Sequence, residues 1–208
     1  MNVKALIRRV NHTLKLHKLF PEHSRILVAC SGGPDSMALL HLLQDIATHR
    51  HTKYKLGIAI VDHSIRSESK DEVLWLRNQV DALGLPFYTT IFDVPRLSKD
   101  LKLSEETVGR QVRYQWLNEI AQSEGYDYIA VAHHKDDQAE SILAHLIRGT
   151  GLNGLTGMAV VSYGYDVPVI RPLLDITKVE LLSYLSDRKL TYCIDSTNDD
   201  TRYQRNRI

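Results

Sequence analysis

Between Ala132 and Ser141 the chain reads AHHKDDQAES, crowding two histidines, a lysine, two aspartates and a glutamate into one short run. Such a set can hold a metal, move protons, or simply begin a solvated helix. Far upstream, Ser31 to Ser36 read SGGPDS. Gly32 and Gly33 let backbone N–H groups turn toward an anion, and the N-terminus of the helix that follows would add partial positive charge. Ser31 and Ser36 can donate to phosphate oxygens. Asp35 is unusual in a phosphate cradle unless it holds Mg2+ or caps the helix. The plainer reading is a tight strand-to-helix turn. Position, both serines and the following helix favour the phosphate reading.

Both runs sit where strands should end. RILVAC, Arg25 to Cys30, reads as a buried strand, and Ser36 to Thr48 has helical periodicity through Leu39, Leu40, Leu43 and Ile46. Further strands are expected at Tyr54–Val61, Pro86–Phe92, Tyr128–Ala132 and Val167–Ile170. Helices are expected from Ser69 to Gly84, Ser104 to Ser123, Asp136 to Arg148 and Thr177 to Leu190. Ser69-x-x-Glu72 and Thr177-x-x-Glu180 are capping boxes. An amphipathic helix is expected at the start, through Val3, Ile7, Val10, Leu14 and His17. Strands alternating with long helices predict an α/β fold: a doubly wound, mostly parallel sheet with helices on both faces. In such sheets ligands bind at the carboxyl ends of the strands.

With 208 residues, 43% hydrophobic, 25% charged and a net charge of +1, composition is that of an ordinary globular protein. No global field points to nucleic acid or membrane. The ends are nevertheless basic, with Lys4, Arg8, Arg9, Lys15 and Lys18 at one and Arg202, Arg205 and Arg207 at the other. No apolar run is long enough to span a bilayer. Cys30 and Cys193 are isolated, which argues against a disulfide framework or zinc site and fits a reducing, cytoplasmic setting. No Walker-type loop is present. Gly149-x-Gly151-x-x-Gly154 follows a helix rather than a strand, so it reads as a helix stop and loop, not a dinucleotide fingerprint.

SGGPDS resembles the PP-loop of the N-type ATP pyrophosphatases, with their adenine nucleotide alpha hydrolase-like fold. Other segments narrow the resemblance to the tRNA(Ile)-lysidine synthetase family. These are Val61-Asp62-His63-Ser64-Ile65-Arg66, Gly109-Arg110-Gln111-Val112-Arg113-Tyr114, His133 to Ser141, RGTGLNGLTGM from Arg148 to Met158, and Asn198 with Tyr203 to Ile208. Ser64 stands where the family has Gly, Ser141 where it has Thr, and Gly109 where it has Ala. The resemblance implies a catalytic domain over 1–190. It makes 191–208 a polar exit segment and the start of a linker helix toward C-terminal domains.

The implied reaction adenylates the C2 oxygen of the wobble cytidine in a CAU anticodon with ATP. The ε-amine of free L-lysine then attacks C2 and AMP leaves. ATP and Mg2+ are the implied cofactors and tRNA(Ile) the implied partner; no membrane is expected, and a homodimer is left open. Ser31 to Ser36, Asp62 and His63 are expected at ATP, with Asp35 as the Mg2+ residue. At about 100° per residue, Asp137, Glu140, Ala144 and Arg148 share one helix face. Ala139, Ile142, Leu143 and Leu146 share the other, which should face the core. Asp137 and Glu140 suit a lysine ammonium that must be gripped and then deprotonated. His133 is expected to polarise phosphate or relay a proton. Arg113 and Arg205 should neutralise the leaving pyrophosphate. Arg110, Arg148 and Arg207 are expected on tRNA phosphates. Asp136 reads as an ordinary N-terminal helix acid, His134 as a satisfied turn residue, and Cys30 as a small core residue. The tyrosines form no stripe. A tRNA-thiolating enzyme is disfavoured by the two lone cysteines, and a non-catalytic nucleotide-binding module by the acid and arginine sets.

Overall fold

The computed structural model describes residues 3–49, 53–64, 69–147, 149 and 156–193. Strands β1 (Arg25–Ala29), β2 (Lys55–Asp62), β3 (Phe87–Ile91), β4 (Tyr128–Ala130), β5 (Val161–Ser162) and β6 (Val169–Ile170) form one sheet. Its order is β3-β2-β1-β4-β6-β5. All neighbours run parallel except β5, which pairs antiparallel with β6. The helices are α1 (Val3–Leu16), α2 (Pro34–His49), α3 (Ser69–Ala82), α4 (Val94–Leu101), α5 (Glu105–Ser123), α6 (Lys135–Ile147) and α7 (Lys178–Asp187).

Alternation along each strand builds the two layers. Ile26, Val28, Ile58, Ile60 and Ala130 face a core shared with α1, α2, α3 and α7. Leu27, Ala59, Ile129 and Val131 face Tyr114, Leu117 and Ala121 of α5. The doubly wound α/β expectation is therefore met. The chain moves outward from β1 to β3, then returns on the other face to place β4 beside β1. The switch point lies between β1 and β4, which is where a crevice forms.

Two elements differ from expectation. Helix α4 was not foreseen; Asp93 caps it by accepting from the Arg96 N–H at 3.0 Å, with a proline in its first turn. This Asp-x-Pro start is a readable signal. Strand β5 has only two residues and pairs across sequence, too short for any periodicity. In α1 the buried stripe is Leu6, Val10, Thr13 and Leu14, and His17 is exposed beyond the helix. Thr177 and Glu180 form the expected capping box. Gly57 lies on β2 where a Cβ would come within 1.8 Å of the Tyr126 hydroxyl oxygen, so only glycine lets α5's following turn close against the sheet.

The largest correction concerns α6. Its apolar residues do not face the core: Leu143 and Leu146 are 47% and 51% exposed, and Ala139 is exposed too. Asp137 is the buried residue of this helix. Hydrophobic periodicity assigned the wrong face because α6 starts at the strand ends, where its inner side meets a polar crevice rather than the sheet.

Candidate active site

The crevice at the switch point is a cavity of about 300 Å³. Its floor is Ala29 and Cys30 at the end of β1, with Ala59, Ile60 and Val61 of β2. One wall is the turn from β1 into α2, contributing Ser31, Gly33, Asp35 and Ser36. The facing wall is the turn from β4 into α6, contributing Ala132, His133 and Asp137. Helix α5 closes a side with Arg113, Tyr114 and Leu117, and His63 enters after β2. Apolar floor and convergent polar walls suit a nucleotide-sized ligand.

The first wall is held from within. Ser36 Oγ donates to the Gly33 carbonyl at 2.9 Å and accepts from the Ser31 N–H at 3.2 Å. The Ser31 and Ser36 hydroxyls are 3.3 Å apart. Ser36 is buried and Ser31 exposed, so the two serines are not equivalent. Gly32 has φ +82° and faces Cys193, whose N–H donates to the Gly32 carbonyl at 2.9 Å. Cys30, a core residue as expected, lies under the loop with Sγ 3.5 Å from Ser36 Oγ. Pro34 opens α2, and neither it nor Gly32 lines the cavity.

The second wall is a reciprocal cap. His134 precedes α6; its N–H donates to Asp137 Oδ2 at 2.9 Å, and the Asp137 N–H points at His134 Nδ1 at 3.5 Å. This satisfies two donors at the helix start. His134 is therefore more than a turn residue: Nε2 lies 3.6 Å from both Asp35 Oδ2 and Asp137 Oδ2. Its neighbour His133 points into the cavity instead. Asp136 also does more than serve its own helix, because Oδ2 accepts the Lys178 N–H at 2.8 Å.

Lys178, unremarked in the sequence, is the missing member. Its Nζ donates to both oxygens of Asp35, joining α7 to α2. Its place at a helix start following a strand was the available signal. Deeper in the same helix pair, Asp45 accepts from the Tyr184 hydroxyl at 3.0 Å and from Arg188 at 2.8 and 3.1 Å, which fixes α7 against α2. Burial pushes the Asp35 carboxyl up, but contacts with His134 and Lys178 outweigh it and hold it below its ordinary value. An ionised carboxylate on a glycine-rich helix start is of the kind that holds Mg2+, which is commonly bound by one or two carboxylates plus substrate phosphates. Among the described residues no cluster of three or more His, Cys, Asp or Glu could cage a metal by itself.

Other expected residues divide. Asp62 is buried, and Oδ1 accepts the Ser64 N–H at 2.8 Å instead of reaching the cavity. That bond holds Ser64 at φ +50°, so serine adopts here the left-handed conformation a glycine would take freely. Burial, with Arg113 adding to it and Asp62 opposing, pushes His63 down to about 4, and its buried Nδ1 has no hydrogen-bond partner among the described residues. Glu140 is half-buried one turn beyond Asp137. Burial raises its carboxyl, His134 opposes and Asp136 adds to the rise. Arg110 is exposed on α5, outside the cavity. Arg148, Arg205 and Arg207 lie outside the described residues, as do Arg202 and the closing segment. Arg9, from the basic first helix, is tied to Glu180 and donates to the Asp175 carbonyl at 2.5 Å.

A glycine-rich loop between β1 and α2, at the switch point of a parallel sheet and facing a His-Asp turn, defines a PP-loop α/β domain. The chain belongs to the PP-loop domain family, whose sequence profile matches residues 4–208. It is 38% identical over 206 residues to a tRNA(Ile)-lysidine synthase of Porphyromonas gingivalis, and 39% over 204 residues to that of Thermosipho africanus. In both cases the match covers 98% of this chain, but only 43% and 46% of the relatives' lengths. The fold is shared with a U34-tRNA thiolase of Methanococcus maripaludis solved with its 4Fe-4S cluster. That match has a TM-score of 0.77 and 22% identity, and covers 92% of this chain and 64% of that one. No described helix is long and apolar enough to cross a membrane.

Proposed function

We propose that this chain is the catalytic part of a tRNA(Ile)-lysidine synthase, joining free L-lysine to C2 of the wobble cytidine of a tRNA with a CAU anticodon at the expense of ATP. The observation that carries it is the shared cavity: the Ser31–Ser36 loop, His63, Arg113, His133 and Asp137 line one space. The lysidine synthases named above are similar over nearly the whole chain.

The α2 start receives the ATP phosphates, with loop N–H groups and the Ser31 hydroxyl as donors. The adenine base packs on the apolar floor beside His63. Asp35 would hold Mg2+, which when bound neutralises phosphate charge; Lys178, already on that carboxylate, supplies a second cation. The cytidine C2 oxygen attacks the α-phosphorus and pyrophosphate leaves past Arg113, whose charge is worth most in a water-poor site. His133 stands across the cavity from the loop and hydrogen-bonds the phosphate under attack. Lysine enters between Asp137 and Glu140. One carboxylate grips its ammonium and takes a proton, the free amine attacks C2, and AMP leaves with the electrons of the C2–O bond. Glu140, with its raised carboxyl, is the better proton acceptor of the two, and Asp137, anchored by the His134 N–H, the better grip.

Arg205 and Arg207 belong to the same reading, at the phosphates and the tRNA. Cys193 donates its N–H to the Gly32 carbonyl of the loop, and Arg205 and Arg207 follow it in sequence. Arg148 follows the last residue of α6 and Arg110 flanks the α5 wall; both are kept as tRNA contacts. The 1–190 catalytic unit is kept as well, with Tyr192 and Cys193 packed on its edge.

Pyrophosphate release is the deciding assay. It should require ATP, Mg2+ and tRNA with a CAU anticodon, and lysine should be incorporated only when all are present. Release that ignores the tRNA would refute the reading. Sulfur transfer in place of lysine incorporation would move the chain to the thiolating enzymes.

A further inference from the structure

Tyr114 and Tyr165, far apart in sequence, stack with ring centroids 5.5 Å apart and an interplanar angle of 11°. Tyr114 is buried and lines the cavity. Tyr165, from the loop between β5 and β6, covers its outer side and is itself 40% exposed. Two guanidiniums flank the pair: Arg110 lies 4.9 Å and Arg113 5.7 Å from the Tyr114 centroid. Beneath them Arg171 is 5% exposed; its NH1 donates to the Ala159 carbonyl at 2.9 Å and to Ser162 Oγ at 2.8 Å. Among the described residues neither Arg110 nor Arg171 has a carboxylate within ion-pair distance. Asp166, next to Tyr165 in sequence, has its carboxylate turned to the Asn118 amide at 3.1 Å. An exposed aromatic face thus stands beside Arg110 and above Arg171, neither of them paired with a described carboxylate, one ring's thickness from the cavity wall.

Interior packing does not account for this combination. A buried arginine without a carboxylate is costly, and a tyrosine kept at the surface over a buried one leaves apolar area in water. An aromatic platform beside arginines does fit single-stranded nucleic acid, whose bases stack on rings while phosphates meet cations. We propose that Tyr165 and Arg110 form a landing surface for an unpaired nucleotide of the RNA substrate, adjacent to the nucleotide that enters the cavity. The base stacks on the exposed Tyr165 ring and its phosphate meets Arg110, while Arg171 adds charge from below without contact. This surface rests on the RNA-modifying reading above and extends it to residues that do no chemistry.

The test is binding of an RNA stem-loop with a CAU loop to the chain and its variants. Tyr165→Ala should weaken binding about tenfold, since stacking on a single ring is worth roughly 1–3 kcal/mol, and Tyr165→Phe should restore it. Arg110→Ala should weaken binding and lower the slope of log affinity against log salt by about one. Tyr163→Ala, on the same loop and 79% exposed, is the control and should bind like wild type. Melting temperature and ATP affinity report whether each variant is folded. If Tyr165→Ala binds as tightly as wild type, or Tyr163→Ala loses as much, the surface proposal is overturned and the RNA reading stands. If wild type itself does not bind the stem-loop, the RNA reading fails and the surface falls with it.

Discussion

Lys178 Nζ lies 2.6 Å from Oδ1 and 2.7 Å from Oδ2 of Asp35, so the first turn of α7 neutralises the one carboxylate of the Ser31–Ser36 loop. A cation at this place competes with a metal for the same oxygens. Lys178→Met removes it while keeping the length of the side chain. The half-saturating Mg2+ concentration for pyrophosphate release should fall. The melting temperature should drop slightly, because a partly exposed pair is worth about 1 kcal/mol or less. Unchanged Mg2+ dependence would mean that Asp35 does not hold the metal.

The two loop serines should separate. Ser36 is buried and its hydroxyl bridges Gly33 and Ser31, so Ser36→Ala should lower both stability, by about 0.5–1.5 kcal/mol, and ATP affinity. Ser31 is exposed at the cavity, so Ser31→Ala should lower ATP affinity with the melting curve unmoved. Isothermal titration beside thermal melts distinguishes the two. Equal melting shifts would remove the distinction drawn here.

Asp137→Asn should leave adenylation intact and reduce lysine incorporation by a factor of about 10²–10⁴, the usual range for lost acid–base function. The amide oxygen can still accept the His134 N–H, so α6 keeps its cap. Asp137→Ala, which cannot, should in addition lose about 1 kcal/mol of stability. The steps are read separately, by adenylate formation without lysine and by labelled lysine in the tRNA. Normal incorporation by Asp137→Asn would reduce the acid to a cap.

His63 carries a pH signature. Its ordinary value is 6.5 and the fold pushes it down to about 4. Between those values the unfolded chain binds more protons at this site than the native one. Stability at this site therefore rises with pH from about 4 to 6.5, is fully present above 6.5, and is lost as pH falls. His41, lowered mainly by burial, acts in the same sense. Replacing His63 with Gln should flatten part of the slope of unfolding free energy against pH in that window. An identical slope in the variant would show that His63 is no more buried than an unfolded-chain histidine.

Much of this was legible in the amino-acid order. Strand and helix periodicities led to the parallel sheet because each of β1, β2 and β4 carries its own apolar run, and the strand-end rule pointed to SGGPDS and AHHKDDQAES. Local chemistry was equally readable at Thr177 and Glu180, whose cap spans only three residues. What the order of residues could not supply was which way an element faces and which distant groups meet. The 3.6-residue period sets the two faces of α6 apart, but only the position of α6 beyond the β4 end turns Asp137 inward and leaves Leu143 and Leu146 in water. Lys178 and Asp35 are 143 residues apart, as are Arg188 and Asp45. Their pairing follows from the packing of α7 on α2, and no local propensity encodes it. Tyr114 and Tyr165 looked scattered for the same reason: a stack needs the hairpin of β5 and β6 folded back over α5, and that closure is a property of the sheet's edge, not of any window of sequence.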